Sequence, residues 1–205
     1  MSGRSTTLPR VGRSRSWDED AVLAAASAVF HRKGFEATST RDIEDATGLR
    51  PGSVYAAYGS KAGLFAAVLD RYAAHVVDAR VARYLTDAPD PRAGLRAMFT
   101  STFEGRPAPD PGCLVTNSAV ESPALATEAR QKVGTSLDAL RAGFFDAAQR
   151  LAGAHQGAAA AADQLLALYQ GLLVLVRFGA DEKLLRSVVD AVDVVIDSLE
   201  GNHES

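Results

Sequence analysis

The chain has 205 residues, 47% of them apolar, with a formal net charge of −3, enough apolar material for a real core in one or two compact units. Its single cysteine, Cys113, excludes an intrachain disulfide and fits a reducing cytoplasm. The polar N-terminus shows no secretory pattern, and the apolar stretch 165–176, interrupted by Gln170, is too short for a bilayer span of roughly 20 residues. Alanine is abundant and β-branched runs are few, which favours helix. Charge is uneven. Residues 1–62 carry nine basic and seven acidic side chains, whereas the remainder carries thirteen and eighteen. A positive end on an acidic body suits a module that binds a polyanion; an ordinary solvated surface is the other reading.

Residues 1–15 hold four arginines, no acid and no periodicity, and read as a disordered basic arm. Ser16-Trp17-Asp18-Glu19 has the form of a capping box. The helix behind it is apolar at Val22, Ala25, Ala26, Val29 and Phe30 and ends at Lys33-Gly34. Ser39, with Asp42 three residues on, caps a short second helix with Ile43 and Ala46 inward, closed by Gly48. Pro51 opens a third helix through Val54, Tyr55 and Tyr58 to Gly59. Ser60 caps a fourth, apolar at Leu64, Phe65, Val68, Leu69, Tyr72 and Val76, which runs to about Tyr84. Further helices are expected over 91–104, 114–121, 123–152, 158–179 and 181–200, with a proline-rich loop at 105–112. The expected fold is all-α: an arm (1–15), a three-helix helix-turn-helix domain (16–62) and a helical effector-binding and dimerisation domain (63–205), linked by the helix that starts at residue 60.

The informative segment is 38–61. Two short helices meet at the turn Thr47-Gly48-Leu49-Arg50, where Gly48 can take a positive φ. This is helix-turn-helix spacing, in which the second helix lies in the major groove. Its start offers the Arg50 guanidinium, the bare backbone of Gly52 and the Ser53 hydroxyl, with amides that suit a phosphate. Tyr55 and Lys61 add a phenol and a cation. On spacing alone, a plain helical hairpin with solvated polar residues fits equally well.

Residues 35–43, then Ala46-Thr47-Gly48-Leu49, Gly52-Ser53-Val54-Tyr55 and Tyr58-Gly59-Ser60-Lys61 with Leu64-Phe65, resemble the TetR family of repressors. That family reads G-hydrophobic-x-x-G-[ST]-hydrophobic-Tyr-x-x-aromatic-x-[ST]-Lys over 48–61, and every fixed place is matched. Arg50, where the family often has Ser, and Ala56, where it often has a large aromatic or His, depart from it and alter base preference. The resemblance implies that Thr38, Thr40, Ser53, Tyr55 and Lys61 touch phosphates. Arg50, Pro51 and Gly52 face the groove floor, where Arg50 can take a guanine in bidentate fashion. Tyr58 either packs between helices or joins the DNA contact. The arm arginines enter the adjacent minor groove or play no part.

The C-terminal body says less. A stripe on the last helix and an over-apolar helix before it exceed what two neighbours can bury. Leu165, Leu172, Val188, Val192, Val195, Ile196 and Leu199 are therefore expected at a homodimer interface, as in the four-helix dimer bundle of the family; a fully intramolecular core is the alternative. Phe99, Phe103, Cys113, Phe144, Phe145 and Tyr169 are expected around an effector pocket, or else form plain core. Cys113, at a helix start beside a loop, is either a small packing residue or an effector-responsive thiol. His31, His75, His155 and His203 lie in no metal-ligand spacing, and no catalytic set or cofactor motif is present. The resemblance implies a cytoplasmic, non-enzymatic repressor that binds a near-palindromic site on double-stranded DNA and is released by a small-molecule or electrophile effector. The rival readings are a helical binding protein or enzyme with a vestigial helix-turn-helix, and an architectural protein that coats DNA without sequence choice.

Overall fold

The computed structural model describes residues 17–105, 110–153 and 157–200. The expected basic arm, the Ser16 cap, part of the 105–112 loop, His155 and His203 lie outside the described residues. Within them the chain is helical and carries no strand. The elements are α1 (Glu19–Lys33), α2 (Thr40–Thr47), α3 (Pro51–Tyr58), α4 (Lys61–Tyr72), α5 (Pro91–Thr100), α6 (Leu114–Val120), α7 (Thr127–Ala152), α8 (Ala158–Phe178) and α9 (Glu182–Glu200).

The caps follow local chemistry. Asp18, rather than Ser16, caps α1: its carboxylate accepts from the amides of Asp20 and Ala21 at 3.0 and 3.3 Å, and Glu19 becomes the first helical residue. Ser39 and Asp42 close a full capping box on α2, and Gly48 ends it in the left-handed region with φ +68°. Ala46, expected inward, is exposed. Pro51 is the first residue of α3, and the Ser60 hydroxyl accepts from Gly63 at the start of α4. The helix expected over 123–152 starts at Thr127, because Pro123 sits in a 3₁₀ turn (Ser122–Ala124) and Ala126 is extended.

α4 does not stop at Tyr72. The chain continues through a π-helical turn (Ala73–Val77), one α-helical turn (Asp78–Val81) and a second π-helical turn (Ala82–Thr86). Residues four and eight apart drift around an ordinary α-helix; the wider turn offsets that drift and sets Tyr72, Val76 and Arg80 along one wall.

One buried apolar cluster runs without interruption from Ala26 and Phe30 in α1, through Leu64, Phe65 and Leu69 in α4, to Phe144, Leu172 and Ile196. α1 packs on α4, α4 on α7, α7 along α8, and α9 on both α8 and α5. Arg92 pairs with Asp197 and Glu200, and Arg96 with Asp193, tying α5 to α9. α8, at 21 residues, is long and apolar enough to cross a bilayer, which corrects the expectation that this stretch is too short; here it packs between α7 and α9.

Close approach makes two glycines informative. A Cβ on Gly63 would stand 2.0 Å from the Tyr58 carbonyl oxygen, whereas one on Gly134 in α7 meets nothing within 4 Å. Gly63→Ala is expected to lower the unfolding free energy by about 1–3 kcal/mol through forced separation of α3 and α4. Gly134→Ala is expected to raise it by about 0.5–1 kcal/mol. Urea denaturation of the two variants beside wild type measures both.

Candidate nucleic-acid interface

The start of α3 is the exposed end of the helix pair. Arg50, extended and just ahead of Pro51, makes no side-chain cap and no hydrogen bond to any described residue; Gly52 and Ser53 beside it are exposed. Tyr55 is 44% exposed, and its hydroxyl lies 3.3 Å from that of Thr40, joining the first turn of α2 to α3 on the same side. Thr40, Arg50, Gly52, Ser53 and Tyr55 therefore form one polar surface carrying a guanidinium and hydroxyls. The cations at the end of α1 and on α2 are already partnered. Lys33 meets Asp42 at 2.6 Å, and that contact, followed by the Ser39 hydrogen bonds, holds the Asp42 carboxyl well below the usual range. Arg41 lies 3.9 Å from Asp45.

Three expected members of this surface turn away from it. Thr38 is buried, and its hydroxyl donates to the Gly34 carbonyl at 2.6 Å, so it joins α1 to α2 instead of presenting a donor outward. Lys61 points back under the loop. Its ammonium donates to the Phe35 and Thr38 carbonyls at 2.9 and 2.8 Å and sits 4.5 Å over the Phe35 ring. Tyr58 is half-buried, its ring tilted 45° against that of Trp17, and its hydroxyl donates to Glu19 at the start of α1. Motif matching could not find these roles, because each depends on a partner at the far end of α1 or in the loop after it.

Behind this unit lies a cavity of about 240 Å³. Of the six residues expected around a pocket, Cys113 and Tyr169 line it. Phe99 and Phe144 are fully buried behind Tyr169, with ring centroids 5.3 and 5.7 Å from it. Phe103 packs under the Arg186 guanidinium, and Phe145 packs toward the small cluster of Ala148, Ala158 and Leu199. The remaining wall comes from residues that sequence patterns did not assign to a pocket, chiefly His31, Tyr72 and Arg80. The His31 imidazole donates through Nε2 to the Gly112 carbonyl at 2.9 Å and meets the Tyr72 ring edge-on. Burial, followed by the neighbouring Cys113, pushes the Tyr72 phenol well above its ordinary range, so it stays protonated at neutral pH.

The outer surfaces of α8 and α9 flank an apolar groove of about 590 Å³. The expected interface residues divide. Leu165, Leu172, Val192, Ile196 and Leu199 are buried within this chain, because the inward side of α8 faces α7 and that of α9 faces α5, α7 and α8. Val188 and Val195 line the groove, together with Leu168, Gly171, Ala191 and Val194, and the buried Leu172 forms part of its floor. Val194 is 70% exposed and Phe178 84%, so the outward apolar row is unpartnered in the single chain. Among the described residues, no group of three His, Cys, Asp or Glu side chains can hold a metal ion.

Exposed α3 on a helix-turn-helix, followed by a helical body with an internal cavity, defines a helix-turn-helix regulator class. Residues 22–68 match the model of the bacterial regulatory proteins of the tetR family. Over 61 residues the chain is 48% identical to the HTH-type transcriptional repressor BdcR of Escherichia coli, covering 30% of this chain and 31% of BdcR. Its match to the repressor ComR of the same organism is also 48% over 61 residues, covering 30% and 29%. The matched segment thus spans under a third of the length of these relatives. Likeness to solved structures extends further. Reduced E. coli NemR superposes with a TM-score of 0.76 at 18% identity, covering 86% of this chain and 95% of that one. CifR, solved as a cysteine mutant complexed with 26-bp double-strand operator DNA, superposes at 0.71 with 26% identity, covering 90% and 98%. Residues 22–68 thus carry the tetR-family pattern, and the whole chain shares its fold with TetR-family regulators such as CifR.

Arg50 and Lys61 are now separable by stability. Lys61→Met removes charge-assisted bonds to two loop carbonyls and is expected to cost about 1–3 kcal/mol of unfolding free energy. Arg50→Ala should stay within about 0.5 kcal/mol of wild type. Thermal and urea unfolding followed by circular dichroism distinguish them.

Proposed function

We propose that the protein is a homodimeric, sequence-specific DNA-binding repressor that a small ligand releases from its operator. The observation that carries this reading is the exposed start of α3, where Arg50 has no partner among the described residues on a surface with Thr40, Ser53 and Tyr55. A guanidinium at the N-terminal end of a recognition helix suits bidentate contact with a guanine, and the hydroxyls suit phosphates. The complex of CifR with operator DNA supports the same use of the fold. The proposed division is a reading unit over 16–62 and an effector and dimerisation unit over 63–205, with the helix from residue 60 belonging to both.

The groove on α8 and α9 is the proposed dimer face. Gly171 and Ala191 let two copies approach closely, and the row of Val174, Phe178 and Val194 would be covered on association. Two recognition helices then fall in successive major grooves of a near-palindromic site, about 34–36 Å apart. The cavity is the proposed effector site. His31 belongs to α1 and also lines the cavity, and Glu121 accepts from the Phe35 amide at 2.7 Å, so the ligand site and the reading unit share walls and bonds. A ligand that fits one arrangement of these contacts better than the other would shift the dimer away from the spacing DNA requires. The reading needs no cofactor and no catalysis, and places the protein in the cytoplasm with its DNA.

Selection of bound sequences from a random library, followed by gel shift against competitor DNA, tests the reading. A discrete near-palindromic site is expected; no binding, or binding indifferent to sequence, would refute it. On the selected site, Arg50→Ala is expected to cost about 1–3 kcal/mol and to relax preference at one base position. Val194→Asp is expected to give a folded monomer with little affinity for that site, read by sedimentation velocity and gel shift. Val192→Asp should unfold the chain instead, since Val192 is fully buried.

A further inference from the structure

The cavity wall carries one charge that the protein leaves unneutralised. Arg80 is half-buried, and a guanidinium does not lose its proton in a protein. Its hydrogen bonds all go to neutral acceptors: Nε to the Tyr169 hydroxyl at 3.0 Å, and Nη2 to the Met98 carbonyl and Ser101 hydroxyl, both at 2.8 Å. Its face lies 5.3 Å from the Tyr84 ring. Among the described residues no carboxylate comes within ion-pair distance of Arg80, and none accepts from Nη1. Elsewhere in the body Arg92, Arg96, Arg141 and Arg186 each meet a carboxylate, and Arg150, which donates to the Leu85 and Ala88 carbonyls, is exposed to solvent and does not line this cavity. A half-buried cation held only by neutral groups gains most from an anion supplied from outside.

The rest of the wall narrows the choice. Val76, Val77, Leu140 and Leu173 are apolar, and Tyr72 and Tyr169 add aromatic faces. Among the described residues no Asp or Glu lines the cavity, and the Arg80 charge repels a second cation. The Tyr72 phenol, protonated at neutral pH, cannot act as an anion either. At about 240 Å³ the space is below the roughly 300–1,000 Å³ of sites for drug-sized ligands. It suits a ligand the size of one ring with a short substituent.

We propose that the effector is a small aromatic or branched aliphatic carboxylate whose anion meets Arg80 and whose apolar body lies against Leu140 and Leu173. This rests on the reading of the cavity as the effector site. The Ala73–Val77 π turn is what aligns Arg80 with Tyr72 and Val76 on that wall, so the anion would be gripped by the same helix that carries Lys61 at its start.

The test is titration calorimetry of the wild-type dimer with benzoate, phenylacetate and isovalerate, each beside its neutral amide and its amine analogue. Carboxylates are expected to bind at least about tenfold more tightly than the matched amides, with the amines weakest. Arg80→Gln is expected to erase the preference of acid over amide. Because Arg80 also holds Met98 and Ser101, the comparison of acid with amide on wild type decides the matter independently of that variant's folding. Amides binding as well as acids, amines binding best, or no carboxylate binding at millimolar concentration would each overturn the proposal. Leu173→Trp, which fills the cavity, separates this from the underlying reading. If it abolishes binding of a neutral compound, the cavity remains the effector site and only the anion assignment fails. If a carboxylate dissociates the DNA complex equally well from Leu173→Trp, the effector site lies elsewhere and both fail.

Discussion

Phe35 is the residue on which the arrangement of the molecule depends. Its amide donates to Glu121 at the end of α6, its carbonyl accepts from Lys61 at the start of α4, and its ring packs on Phe30 and Phe65 with the Lys61 ammonium above it. Gly34, immediately before it, has φ +82°, and the Glu121 carboxylate occupies the place a side chain would take. The loop from α1 to α2 is thus held by the body on one side and by α4 on the other. The orientation of α3 follows, because α2 hangs from that loop through the Thr38 bond to Gly34 and α3 abuts the first turn of α4.

This places the reading unit and the cavity at opposite ends of the same short mechanical chain. α1 contributes His31 to the cavity and ends at Gly34. α4 begins at Lys61, and the helical run it leads contributes Tyr72, Val76 and Arg80. The π turn at Ala73–Val77 lies between these two duties, where a change in helical register is cheapest. A molecule lodged between His31 and Arg80 would press on both helices that frame the helix-turn-helix. Coupling therefore needs no long relay, only two helices whose packing has two arrangements.

The helix-turn-helix was legible because its determinants are local. The capping box of Ser39 and Asp42, the positive φ of Gly48 and the N1 proline are set by neighbours in sequence. Side-chain direction was not legible. Thr38 and Lys61 are polar residues in a polar motif, yet both are consumed by backbone carbonyls that the chain brings in from 4 to 26 positions away. In α9 the periodicity of Val188, Val192, Val195 and Ile196 marked an apolar helix correctly. It could not tell the side packed on α5 and α8 from the side left exposed, because both are apolar. The cavity was the least legible part. Large aromatics such as Phe99 and Phe144 fill space and make core, while the wall is built from His31, which tertiary packing brings in from α1, and from Tyr72 and Arg80, which a π turn absent from the sequence pattern aligns.

The proposed dimer ties all of this together, since only paired subunits give a fixed distance between two α3 helices. The direct measurement is a pulsed dipolar distance between spin labels on Ala56→Cys of the two subunits, in a Cys113→Ser background, with and without the selected DNA. A single narrow separation on DNA, consistent with helices about one turn of the duplex apart, is the expected result. A broad distribution on DNA, or no interaction between labels in a protein that still binds, would contradict the dimer built on α8 and α9.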